Sequence, residues 1–69
     1  MPLTMAVAGE RNTILKVGGK PEVRKHLENL GFIPGTEVTV VSAIGGNLIV
    51  HIKESRVAVC REMAGKILI

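Results

Sequence analysis

Two histidines, His26 and His51, one cysteine, Cys60, and six glutamates are the side chains of this sequence that suit metal binding or acid–base work; there is no Asp. Divalent transition metals are held by imidazole, thiolate and carboxylate groups that converge from short, recurrent spacings. The sequence contains no His-x-x-x-His, Cys-x-x-Cys or Glu-x-x-His pattern. Glu22 and His26 stand four apart and would share a face if helical, so this pair is the one weak candidate for Fe2+ or another divalent metal. A surface contact is the plainer reading of it, and no resident cofactor is expected. Cys60 is a nucleophile without a base assigned to it, since a thiol and a histidine become a dyad only through geometry. It is expected to be a semi-buried small residue that begins a turn. His51 is expected to be exposed. Gly18-Gly19-Lys20 invites a phosphate-loop reading, but Ile14 occupies the position of the first required Gly and Pro21 that of the Ser/Thr. A turn before a helix accounts for it better. No catalytic residue emerges, and the chain does not read as an enzyme.

The elements that would position these residues follow from turn chemistry and periodicity. Pro2 to Gly9 reads as a short opening segment, with Thr4 as cap of one helical turn and Gly9 as its end. The β-branched run from Asn12 to Val17 predicts a strand over 12–18, stopped at Gly18-Gly19. Pro21 suits a first helical position, and Val23, Leu27 and Leu30 form one apolar stripe, so a helix is expected over 21–30. Arg24 and Glu28 would pair on its wet side. Gly31 can close the helix in the left-handed conformation, with Phe32 folding back onto it. Ile33-Pro34-Gly35-Thr36 reads as a type II turn. Strands are expected over 36–43, 47–53, 56–59 and 66–69. The connections between them are a Gly45-Gly46-Asn47 hairpin, a Glu54-Ser55-Arg56 turn and one helical turn from Cys60 to Ala64. Leu48, Val50 and Ile52 share one strand face. Short aliphatic strands in this order must curl into a small barrel to bury their inner faces.

Composition narrows the function. The chain has 69 residues, which predicts one domain, residues 1–69, with a thin core. Nine basic against six acidic residues give a net charge of +3, and the basic residues are spread rather than clustered in a tail. Phe32 is the only aromatic residue, whereas small nucleic-acid binders commonly stack bases on exposed rings; no nucleic-acid role is expected. A single cysteine forms no internal disulfide and fits a reducing compartment. The first ten residues lack the features of a signal peptide, and no apolar stretch approaches the ~20 residues of a membrane-spanning helix. The chain therefore reads as cytoplasmic and not membrane-embedded, and as a monomer or weak homo-oligomer.

The stretch from Arg24 to Val40 resembles the R-x-L-x-x-L-G-[LF]-x-P-G-x-x-[VI]-x-[VI] pattern of the FeoA-domain family, Lys25 standing at the basic position when the Leu spacing is kept. Arg56-Val57-Ala58-Val59 and the run Arg61 to Ile69 resemble that family's ending, and Pro2-Leu3 with Gly9-Glu10 its opening. The likeness covers nearly the whole chain. It implies a mainly β fold: a small SH3-like barrel with one prominent helix and a short helical turn. It implies a cytosolic accessory or regulatory module of ferrous iron uptake that acts by protein–protein interaction. The partner would be the membrane ferrous iron transporter with its GTP-binding domain. Two other readings stay open: a metal-sensing or DNA-associated domain akin to the tail of iron-dependent repressors, and a small RNA-binding barrel. Cys60 and Lys20 depart from the pattern, because polar capping residues are usual at both places.

The partner-binding candidates are Arg24 and Lys25 on the helix, together with Phe32 and Pro34 in the turn that follows it. Phe32 is structural if buried beneath the helix end and a natural anchor if exposed beside Pro34. Arg11, Lys16 and Arg56 would form a second basic region if the barrel brings their strands together.

Overall fold

The structure, a computed structural model, describes residues 1–69. A 3-10 turn, Leu3–Met5, is followed by β1 (Arg11–Thr13), β2 (Lys16–Val17), α1 (Pro21–Asn29), β3 (Glu37–Ile44), β4 (Asn47–Ile52), β5 (Ser55–Cys60), α2 (Arg61–Ala64) and β6 (Ile67–Leu68). Strands β1-β3-β4-β5 make one antiparallel sheet in that spatial order, and β2-β6 a second. The second sheet continues into the start of the chain: Pro2 bridges Leu68, and the Ile69 amide donates to the Met1 carbonyl at 2.7 Å.

The single strand expected over 12–18 is two strands, and the division closes the barrel. β1 pairs with β3, with Thr13 opposite Glu37. At Ile14 the chain turns inward: its side chain is buried, its amide donates to Thr36 O at 2.9 Å, and its carbonyl accepts from the Gly35 amide at 2.7 Å. One residue later the Leu15 amide donates to Leu68 O at 2.7 Å, and β2 continues along β6. The backbone thus changes sheets while keeping its polar groups paired, as burial demands. Leu15 is left with its side chain outside.

The helix stops where its stripe ends. Gly31 takes φ +108°, its amide donates to Glu28 O at 2.9 Å, and the Phe32 amide donates to Leu27 O at 3.0 Å. This paired closure satisfies two of the last carbonyls and carries the chain back beneath the helix. Gly35 takes φ +91°, and Thr36 N donates to Ile33 O at 3.0 Å, closing the expected turn.

Three local expectations are corrected. Pro2, not Thr4, occupies the capping position of the first turn; Thr4 lies inside it, and Ala6 rather than Gly9 ends it. The second hairpin turns at Lys53-Glu54, with φ +48° and +62°, so that Ile52 faces Ser55 and Ser55 begins β5. Arg24 and Glu28 make no ion pair; the chain's ion pair joins Arg11 Nη1 to Glu37 Oε2 at 3.4 Å. Both of those side chains are largely solvated, and such pairs contribute ~0–1 kcal/mol.

Thirteen buried residues, all apolar, form the core. Val38 and Val40 come from β3, Leu48, Val50 and Ile52 from β4, and Val59 from β5. Leu3, Ile14, Val17, Leu27, Phe32, Ala64 and Ile67 close its ends. The Leu48–Val50–Ile52 face is thus the inner one. Between Val40 and Ser42 the β3–β4 register shifts by a bulge at Val41, which increases local twist and turns Val41 outward.

Candidate functional site

Three places on this scaffold combine exposure with chemistry. The first is the helix face. Glu22, Arg24, Lys25 and His26 are all exposed on α1, and Pro34 is exposed in the turn beyond it. The geometry leaves Glu22 and His26 as a two-ligand surface pair, since no group of three or more His, Cys, Asp or Glu side chains converges in the chain. Two ligands on one helical face leave most of a metal's coordination to water.

Phe32 does not belong to this face. Its side chain is 0% exposed and sits in the core with Leu27 and Ile52, so the expectation of a partner-binding anchor is corrected to a structural role. The paired closure at Gly31 is the cause, because it directs the residue after the glycine back against the helix. Ile33 is the neighbour left 41% exposed beside Pro34.

The second place is a cleft of about 260 Å³ between the helices, lined by Val23 of α1, Cys60 at the end of β5, Glu62 and Met63 of α2, and Lys66. Cys60 is exposed, not semi-buried as expected, because it ends β5 on the outer face and precedes a helix that its side chain does not cap. Sequence reasoning missed this cleft; Val23 forms one wall and residues between Cys60 and Lys66 the other, and only the fold brings them together.

The third place is the outer face of the four-stranded sheet. Strand register sets Arg11 opposite Thr39, Thr39 opposite His51 and His51 opposite Arg56, one row across four strands. Arg11, His51 and Arg56 are exposed. Lys16, grouped with Arg11 and Arg56 from sequence, lies instead on β2 in the other sheet. In the next row, two residues along, Ser42 faces Ile49 and Ile49 faces Ala58, with the bulged Val41 beside them. Ile44, Asn47 and Cys60 make the row after that. A basic row therefore borders an apolar one, with Val41 41% and Ile44 65% exposed. The alternation of β4 announces the outward position of His51, but the row itself required the register.

No helix of the structure is long and apolar enough to cross a membrane. In sequence, the family model described as the FeoA domain matches residues 1–69. No curated protein matches the chain. Among solved structures, the FeoA protein of Chlorobium tepidum is 26% identical with a TM-score of 0.89, the match covering 99% of this chain and 67% of that one. The FeoA of Stenotrophomonas maltophilia, crystallised with zinc and described as a prokaryotic SH3 domain protein, is 24% identical with a TM-score of 0.83, over 99% of this chain and 87% of that one. A manganese-dependent transcriptional repressor is 17% identical with a TM-score of 0.87, over 97% of this chain and 39% of its own. The expected architecture, mainly β and SH3-like, is the observed one.

Proposed function

The chain belongs to the FeoA domain family, and on that premise we propose that it is a non-catalytic accessory module of ferrous iron uptake. It works in the cytoplasm by binding the cytosolic portion of a membrane ferrous iron transporter that carries a GTP-binding domain. The observation that carries this reading is the family match over residues 1–69. The related Stenotrophomonas maltophilia protein is described as possibly a ferrous iron transport activating factor. The physical character of the surface agrees. A barrel of this size has its interior filled by thirteen apolar side chains, leaving chemistry to its faces and turns. Those faces offer positive charge beside exposed aliphatic groups, a combination suited to protein recognition.

The experiment is a pull-down from detergent-solubilised membranes of the source cell with the tagged chain, read by mass spectrometry. Recovery of the ferrous iron transporter above an unrelated barrel control is the expected result. Its absence under native conditions, with and without guanine nucleotide, overturns the reading.

The shared fold with the manganese-dependent repressor favours a second reading, an accessory domain responsive to metal. It requires a metal site in this chain, for which Glu22 and His26 are the first residues to replace. Anaerobic titration with Fe2+ separates the two readings: one tight equivalent supports the second, and weak, non-stoichiometric binding supports the first.

A further inference from the structure

Strand β5 is an edge: it pairs with β4 alone. Around the two-residue Lys53-Glu54 turn, Ile52 faces Ser55, Val50 faces Val57 and Leu48 faces Val59. In such a hairpin the pair nearest the turn is hydrogen-bonded and the pairs then alternate. The amides and carbonyls of Ser55, Val57 and Val59 therefore serve the β4 ladder, while those of Arg56 and Ala58 point away from it. No backbone hydrogen bond outside the ladder engages Arg56 or Ala58. Both residues are exposed. A free row of strand donors and acceptors is a template for another strand, and folded proteins usually cover or disrupt such an edge. Here Arg56 and Ala58 end the basic and the apolar row of the outer face.

We propose that the free edge of β5 is a docking site for an extended protein segment that adds to the sheet as a further strand. That segment carries a carboxylate in register with Arg56 and His51, and an aliphatic side chain two residues away in register with Ala58 and Ile49. The spacing follows from the pleat, since alternate residues share a face and lie about 6.8 Å apart. Backbone bonds provide the binding energy and the two side chains the selectivity, as in strand addition generally. Charge selects the occupant. The row offers Arg11, His51 and Arg56, and its neighbouring carboxylate, Glu37, is already paired with Arg11. A second copy of the chain is a poor match, because Ser55-Arg56-Val57-Ala58-Val59-Cys60 contains no carboxylate and each copy carries +3. Nucleic acid is a poor match as well, because the face has no aromatic ring on which a base could stack.

The inference rests on the reading of this chain as a docking module, and the segment would then belong to the transporter's cytosolic portion. The test is a titration of the full, ¹⁵N-labelled chain with a capped peptide of three Glu-Thr-Val repeats, followed by amide shifts. Shifts centred on Arg56 and Ala58, with affinity falling as salt is raised, are expected. Arg56→Glu should weaken binding at least tenfold without lowering the melting temperature. Ala58→Pro, which removes an outward N–H at an edge position, should abolish it. Any of these results in the titration overturns the proposal: no shifts at millimolar peptide, shifts centred on α1 or the inter-helix cleft, equal binding of a Lys-Thr-Val peptide, or β5 shifts that depend on protein concentration with no peptide present. The same variants in the membrane pull-down keep the two readings apart. Loss of the transporter on Arg56→Glu supports the edge, and undiminished recovery overturns it. A wild-type chain that binds the acidic peptide at β5 but retrieves no transporter leaves the edge standing and removes the functional reading.

Discussion

The Phe32 amide donates to the Leu27 carbonyl at 3.0 Å, and the side chains of both residues are fully buried. Helix termination and core closure are thus one event, joined through Gly31 at φ +108°. The space around Gly31 is ordinary: a Cβ there would meet Lys53 Cδ at 3.8 Å and Ile52 Cδ1 at 4.0 Å. Backbone conformation, not crowding, is what demands glycine. Gly31→Val should cost about 1–2 kcal/mol, and in a domain of this size each kcal/mol lowers the melting temperature by about 4–8 °C. Gly31→Asn, which tolerates the left-handed region, should cost less. Thermal melting followed by circular dichroism checks both; an unchanged Gly31→Val melt would remove the backbone from the account.

The β4–β5 turn presents the opposite case. Lys53 and Glu54 hold φ +48° and +62°, a conformation that disfavours side chains with a Cβ. Both are exposed, so replacing them loses little packing beyond the Lys53 stem that lies near Gly31. Lys53→Asn with Glu54→Gly fits the turn type and should stabilise the fold by about 0.5–1 kcal/mol. The urea midpoint should rise while the slope of the transition stays constant.

These two turns show what the sequence made legible. Gly31, Gly35 and the Gly45-Gly46 hairpin were readable because glycine announces positive φ, and the stripe of α1 was readable from its spacing. The Lys53-Glu54 turn was displaced by one residue in the sequence reading because neither residue carries that signal. The split between β1 and β2 was hidden for a related reason: Asn12 to Val17 is uniformly β-prone, and the change of sheet at Ile14 depends on Thr36, Gly35 and Leu68. The candidate sites followed the same rule. Arg24, Lys25, Glu22 and His26 could be placed outside from the helix pattern alone. The row of Arg11, His51 and Arg56 became visible only through strand register, and the fate of Phe32 only through the direction taken after Gly31.

That fate gives a prediction that separates packing from recognition. Phe32 is the largest of the fully buried side chains, with Leu27 and Ile52 among the residues of the same core. Phe32→Ala removes an entire ring from a well-packed site and should cost about 3–5 kcal/mol. A domain this small has a total stability of about 5 kcal/mol, so about 0–2 kcal/mol would remain and a substantial unfolded fraction is expected at 37 °C. Any loss of partner binding it shows would then report unfolding. Phe32→Leu keeps much of the apolar volume and should cost about 1–2 kcal/mol, leaving a folded protein with a lower melting temperature. Because the ring has no exposed surface, the folded Phe32→Leu chain should match the wild type in the membrane pull-down at 20 °C, whatever that pull-down recovers. Melting curves and the membrane pull-down on the same preparations check this. A Phe32→Leu protein that is folded yet loses the partner would mean that the helix end opens on binding and exposes the ring.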